Sequence, residues 1–206
     1  MNKIFILFIL LSNHFLYAQN DSVIILEEVI INNNTDNNNY TSGKIKNKDK
    51  TKETLSLSNN YSFVTKNSDD KIINQNLKTV EFFFDKIKEQ NNEDVFFELI
   101  LLDQNNNGDP GKSLNTKPFL FKINNKKKNS IKLDLEKYKI NIDKPFFIGL
   151  RKLNNSKKYD FRIYIIESNK KQSDIYINIE NQKWLKPPNF KNNTIKINIE
   201  TIKPED

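Results

Sequence analysis

From Val80 to Ile199 the apolar residues of this chain recur at every second position. Val80, Phe82 and Phe84 alternate with Glu81, Phe83 and Asp85. Phe119-Phe121-Ile123, Ile131-Leu133-Leu135, Phe146-Ile148-Leu150, Phe161-Ile163-Ile165, Ile175-Ile177-Ile179 and Ile195-Ile197-Ile199 keep the same spacing. A helix returns to one face every three or four residues, whereas a strand sends successive side chains to opposite faces, so the spacing demands strands. Clusters of Asn, Asp, Gly and Lys separate the runs, as turns require. One run differs. Val95-Phe97-Leu99-Leu101 alternates with Phe96-Glu98-Ile100-Leu102, apolar on both faces, which predicts a central strand covered on both sides or one with a face under a loop. With a shorter strand over Tyr61 to Thr65, the expectation is an all-β, antiparallel, jelly-roll-like sandwich of about nine strands. Helix is expected for at most a turn over Phe84 to Gln90.

The N-terminus reads differently. In MNKIFILFILLSNHFLYA, Lys3 supplies a positive start, Ile4 to Leu11 an apolar stretch, and Ala18 a small residue at the end. This is the pattern of a secretory signal peptide over residues 1–18, cleaved to leave Gln19. A membrane-spanning helix needs roughly 20 apolar residues, and Ser12-Asn13-His14 interrupt long before that. The expected mature chain therefore has no membrane span and is exported, to the periplasm, the outer membrane or the medium. With no Cys in the chain there is no thiol for a lipid anchor. Residues 19–31 hold a short β segment, Val23 to Ile31. Residues 32–58 form a polar tract too poor in apolar side chains to offset its own ordering, and are expected to be a disordered linker. The sandwich is expected over residues 59–206.

Composition removes most enzyme chemistry. The absence of Cys excludes disulfides and thiolate metal sites, and the single His, His14, lies in the leader. A mature chain without His or Cys has no Ser-His-Asp triad, no Cys-His pair and no histidine-ligated metal. The formal charge is +7, but only Arg151 and Arg162 are arginines. Lys126-Lys127-Lys128 and Lys170-Lys171 read as solvated loops, so no nucleic-acid partner is expected. Only four glycines are present, too few for a phosphate-cradling loop, and no cofactor is expected.

Three constellations remain. Asp103, Asn105, Asn107 and Asp109, with Gly108, follow the D-x-N-x-N-G opening of a calcium loop. The twelfth position, however, is Leu114 rather than a bidentate acid, and Pro110-Gly111 cuts the loop short, so a plain hairpin is the preferred reading. Carboxylates at Asp134, Glu136, Glu98, Glu167, Glu180 and Glu200 lie opposite apolar faces, which could serve a polysaccharide hydrolase but is also what any half-exposed strand displays. Trp184, with Tyr159, Tyr164 and Tyr176, could form an aromatic platform for a sugar ring, with Arg162 and Asn178 on the same outward parity.

Several local patterns together resemble the β-sandwich of envelope proteins from Bacteroidetes-type bacteria, which often follows a carboxypeptidase-regulatory-like domain. They are Asp109-Pro110-Gly111, the strand exit Asp134-Leu135-Glu136-Lys137-Tyr138-Lys139-Ile140, the Phe146-Phe147 pair and Trp184 before the last strand. The resemblance covers about residues 60 to 202 and implies fold and envelope location, with no catalytic residue. Residues 19–58 are too short for the preceding domain. The function expected is that of a non-catalytic exported module binding a carbohydrate or an envelope protein. The alternatives are a structural subunit tethered through residues 23–31 and, more remotely, a carboxylate-based hydrolase.

Overall fold

Fifteen strands make up the computed structural model, which describes residues 24–25, 43–46, 53–58, 61–85, 95–123, 129–153, 161–167, 174–179, 182–190 and 192–204. They are β1 (Ile24–Ile25), β2 (Gly43–Lys46), β3 (Glu53–Ser56), β4 (Tyr61–Asn67), β5 (Gln75–Phe83), β6 (Val95–Gln104), β7 (Pro110–Ser113) and β8 (Phe119–Ile123). After these come β9 (Ser130–Asp134), β10 (Asn141–Ile142), β11 (Phe146–Lys152), β12 (Arg162–Glu167), β13 (Ile175–Ile179), β14 (Asn193–Ile195) and β15 (Ile197–Ile202). No α-helix occurs among the described residues; Glu136–Tyr138 and Pro188–Phe190 form single 3-10 turns. The fold is the all-β antiparallel sandwich that the alternation demanded. It carries more strands than the nine expected, because several are two to four residues long and leave no periodic signal.

The front sheet runs β1-β8-β6-β11-β4-β13, with β7 on the free part of β6. The second sheet runs β10-β5-β15-β2, with β9 also on β5, and a third sheet runs β14-β12-β3. The third continues the second. Phe84, just past β5, bridges to Ile163, the Asp85 amide donates to the Arg162 carbonyl at 2.9 Å, and only Lys196 separates β14 from β15. The second and third sheets thus form one bent layer facing the front sheet. Between the layers Phe97 stacks on Phe121 at 5.6 Å and meets Phe161 at 4.7 Å, and Phe84 meets Phe161 edge-on at 4.5 Å. Each fully buried Phe of this kind contributes roughly 1.5–3 kcal/mol, so the core is held by the inward parity of all three sheets.

The front sheet is covered on its outer side as well. Val64, Ile100, Leu102, Phe147 and Tyr176 form a second apolar cluster there, with Trp184 packed against it. This is the cover predicted for the doubly apolar run of β6.

One expectation for the N-terminal region is corrected. Residues 32–58 are not a linker throughout: β2 pairs with β15, β3 pairs with β12, and Leu57 lies in the main core, 1 % exposed, its amide donating to the Phe161 carbonyl at 2.7 Å. An edge strand is held by backbone hydrogen bonds, which a polar sequence supplies as well as an apolar one. Ile24–Ile25, within the short β segment expected over residues 23–31, pair in parallel with Phe119–Leu120 of β8, and the rest of that segment lies outside the described residues. Residues 1–18, where a signal peptide is expected, the turn expected to Gln90, the two lysine clusters, Tyr159 and Glu180 lie outside the described residues.

Candidate functional site

The outer face of the front sheet carries a row of side chains built by cross-strand register. Leu120 of β8 lies opposite Glu98 of β6, Glu98 opposite Arg151 of β11, Arg151 opposite Ser62 of β4, and Ser62 opposite Asn178 of β13. After β13 the chain turns back on itself, the Gln182 amide donating to the Ile179 carbonyl at 3.1 Å. Leu185 then pairs with Ile177 through two 2.8 Å hydrogen bonds. One residue back on the returning segment and one on along β13 bring Trp184 across from Asn178, at the end of the row. Directly opposite side chains on one face of such a pair have β-carbons about 5 Å apart.

The row is polar and largely self-paired. Arg151 contacts Glu98 at 3.2 Å through its guanidinium and donates from Nε to the Ser62 hydroxyl at 2.9 Å. Asn178 donates from Nδ2 to the Gln182 carbonyl at 2.6 Å, while its Oδ1, buried, accepts from nothing. One pleat along the sheet lie Ile100, Gly149, Val64 and Tyr176. A β-carbon on Gly149 would come 1.7 Å from the Phe63 carbonyl oxygen, so the sheet has room only for glycine there. The Tyr176 ring meets Phe147 edge-on at 5.3 Å and its hydroxyl donates to Asp109 Oδ1 at 3.1 Å. Burial first, and then the Asp109 carboxylate, push the Tyr176 hydroxyl up to about 12.

The expected platform of Trp184, Tyr164, Tyr176 and Arg162 is divided. Trp184 and Tyr176 share the front sheet's outer face. Tyr164 and Arg162 lie on β12 in the third sheet, where Tyr164 donates to Asp85 Oδ1 at 3.3 Å and Arg162 is exposed opposite Ser56. Desolvation and then Asp85 raise the Tyr164 hydroxyl above its ordinary value. Parity along a strand fixes which side chains point outward, but the sheet that a strand joins is decided by its partners: β3 and β14 for β12, β4 for β13. Asn178 belongs with Trp184 and Tyr176. Arg151, Glu98 and Ser62, which complete the row, were not singled out as a group. The available signal was that Arg151 is one of two arginines in a chain otherwise supplied with lysine, at a place where a planar fork bridges two partners.

The other constellations resolve differently. Asp103 Oδ1 accepts the Lys112 amide at 2.5 Å and its Oδ2 pairs with Lys144 at 3.2 Å. Asn105 Oδ1 accepts the Asn107 and Asp109 amides at 2.9 and 3.0 Å, Gly108 takes a φ of +85°, and Asp109 receives Tyr176. These oxygens close the β6–β7 hairpin and tie it to Lys144 and Tyr176. Among the described residues no three acidic, His or Cys side chains are grouped to hold a metal ion. The carboxylates are dispersed. Glu200 accepts from Lys132 at 2.8 Å and Thr79 at 3.0 Å. Glu81 accepts from Ser130 and Asn198, each at 2.8 Å. Asp134 caps the Glu136 amide at 2.9 Å, Glu136 lies 3.8 Å from Lys78, and Glu167 is exposed at the end of β12. The outer face of the second sheet is thus a polar network closed on itself, whereas the front sheet's outer face combines a half-buried indole, an apolar bed and an acceptor with no donor. No protein-family model matches this chain, and no curated protein matches it either.

Proposed function

We propose that the protein is an exported, non-catalytic module that binds carbohydrate on the outer face of its front sheet. The observation that carries this reading is the placement of Trp184, half-buried, across from Asn178 at the end of the polar row. An aromatic face beside fixed hydrogen-bonding groups suits a sugar ring, which offers an apolar C–H face to stack and hydroxyls at its rim. Adjacent strands are about 4.8 Å apart, so the row from Glu98 to Trp184 crosses roughly 19 Å, enough for more than one ring of an extended chain. The lack of His and Cys after residue 14 and the pairing of the described carboxylates support a non-catalytic role, and the leader-like residues 1–18 support export. Binding of the intact protein to a glycan array, compared with Trp184→Ala, tests this. Retained melting temperature with lost binding is the expected result, and undiminished binding contradicts it.

A second reading, a structural subunit of an envelope assembly docked through the N-terminal segment, is favoured by Ile25, which is 71 % exposed on the outermost strand of the front sheet. Recovery of an envelope protein by the wild type and not by Ile25→Asp would favour it over carbohydrate binding.

A further inference from the structure

Resting on the carbohydrate-binding reading, we propose that Asn178 selects the ligand: its Oδ1 takes a hydroxyl donated by an uncharged sugar, uncovered when the Trp184 ring turns, so that the face accepts neutral hydroxyl-rich glycans and refuses anionic ones. The orientation of the amide is fixed. Its Nδ2 is committed to the Gln182 carbonyl at 2.6 Å, and turning it over would set two oxygens against each other. Oδ1 therefore presents an acceptor and only an acceptor. Asn178 is 6 % exposed, and its Oδ1 is the one buried side-chain polar atom among the described residues that finds no partner. An acceptor buried in that condition costs about 1–3 kcal/mol, which a ligand donor would relieve.

The charges along the row oppose an anion. Arg151 is its one cation and is already held by Glu98 and Ser62. A carboxylate or sulfate would have to approach Arg151 beside the Glu98 carboxylate, and the anionic group itself would bring only acceptors to Asn178. Of the two lysines that flank Trp184 on the returning segment, Lys183 is exposed with the opposite parity to Trp184 and Lys186 is paired with Asp174, and Lys66 sits two pleats away beside Phe147. Oδ1 is buried, so access to it requires movement, and Trp184, half-buried against the apolar cluster at this end of the row, is the ring that would turn. The Leu185 backbone next to it is pinned by the two bonds to Ile177, so the indole turns about its own side-chain bonds while the segment stays in place.

Affinity electrophoresis of the intact protein distinguishes the possibilities. The gels contain xylan, mannan or a soluble β-glucan, the O-methylated derivative of each, or the anionic polymers alginate and polygalacturonate. O-methylation keeps the apolar ring faces and removes the hydroxyl donors. The expected result is retardation by at least one neutral polymer, weakened about tenfold by O-methylation and likewise by Asn178→Ala, with no retardation by the anionic polymers. Equal retardation by a polymer and its methylated form would overturn the donor requirement, and that comparison needs no variant. Retardation by the anionic polymers alone would overturn the selectivity and leave carbohydrate binding standing. No retardation in any gel would overturn both.

Discussion

The Tyr176 hydroxyl donates to Asp109 Oδ1 across 3.1 Å, tying the outer strand β13 to the tip of the β6–β7 hairpin. Tyr176→Phe keeps the ring against Phe147 and loses this bond, at an expected cost of about 1.5 kcal/mol for a hydrogen bond to a charged acceptor. The pH dependence follows from the shift. The hydroxyl is raised from its ordinary 10.0 to about 12, through burial first and then Asp109. Below pH 10 both folded and unfolded chains hold the proton and the contribution is complete. Between 10 and 12 the unfolded chain releases it first, so stability falls as pH rises through that window. Chemical denaturation across this range should show a shallower alkaline loss in Tyr176→Phe than in the wild type.

Gly149 sits in the middle of the front sheet with β6 on one side and β4 on the other. An added methyl would meet the Phe63 carbonyl oxygen at 1.7 Å and Val64 Cα at 2.6 Å. Gly149→Ala is expected to destabilise by about 3 kcal/mol or more, roughly 10 °C in melting temperature at this chain length. A thermal melt within a degree or two of wild type would contradict the packing described for this face.

Deleting residues 1–58 is expected to destabilise the sandwich strongly, because it removes β2, β3 and the buried Leu57 together. Deleting residues 1–42 spares all three and should have a much smaller effect. Leu57→Ala alone is expected to cost about 2–5 kcal/mol. Equal melting temperatures for the two truncations would return residues 43–58 to the status of a linker.

That region marks where the sequence stops being legible. Periodicity identified the strands whose faces are buried, such as Val80-Phe82-Phe84 and the doubly covered β6, because burial of alternate side chains writes itself into composition. β2, with the sequence GKIK, and β3, with ETLS, take main-chain bonds from β15 and β12, and composition does not record those. The candidate site divides along the same line. Trp184 and Tyr176 come together because the chain turns back within a few residues. Tyr164 and Arg162 were expected beside them and are not, since β12 takes its partners from distant parts of the chain. The Glu98–Arg151–Ser62 contacts depend on a register between strands far apart in sequence, which no local pattern reports.

Calcium is expected to leave the melting temperature unchanged. The Asp103, Asn105 and Asp109 oxygens already accept from Lys112, Lys144, Asn107, Tyr176 and the Asp109 amide. Asp103→Ala should instead lower stability in the presence and absence of calcium alike, by loosening the hairpin. A rise of several degrees in millimolar calcium, lost in Asp103→Ala, would mean that these donors give way to the ion.

Trp184 is the only tryptophan in the chain, so its fluorescence reports the proposed site without interference. Titration of the intact protein with soluble xylan, mannan and β-glucan should produce, for at least one of them, a saturable change in emission that is reduced in Asn178→Ala and not produced by alginate. Emission that stays constant with every neutral glycan, while the protein is retained on one of them, would place carbohydrate binding elsewhere on the molecule and contradict the assignment of the front sheet's outer face.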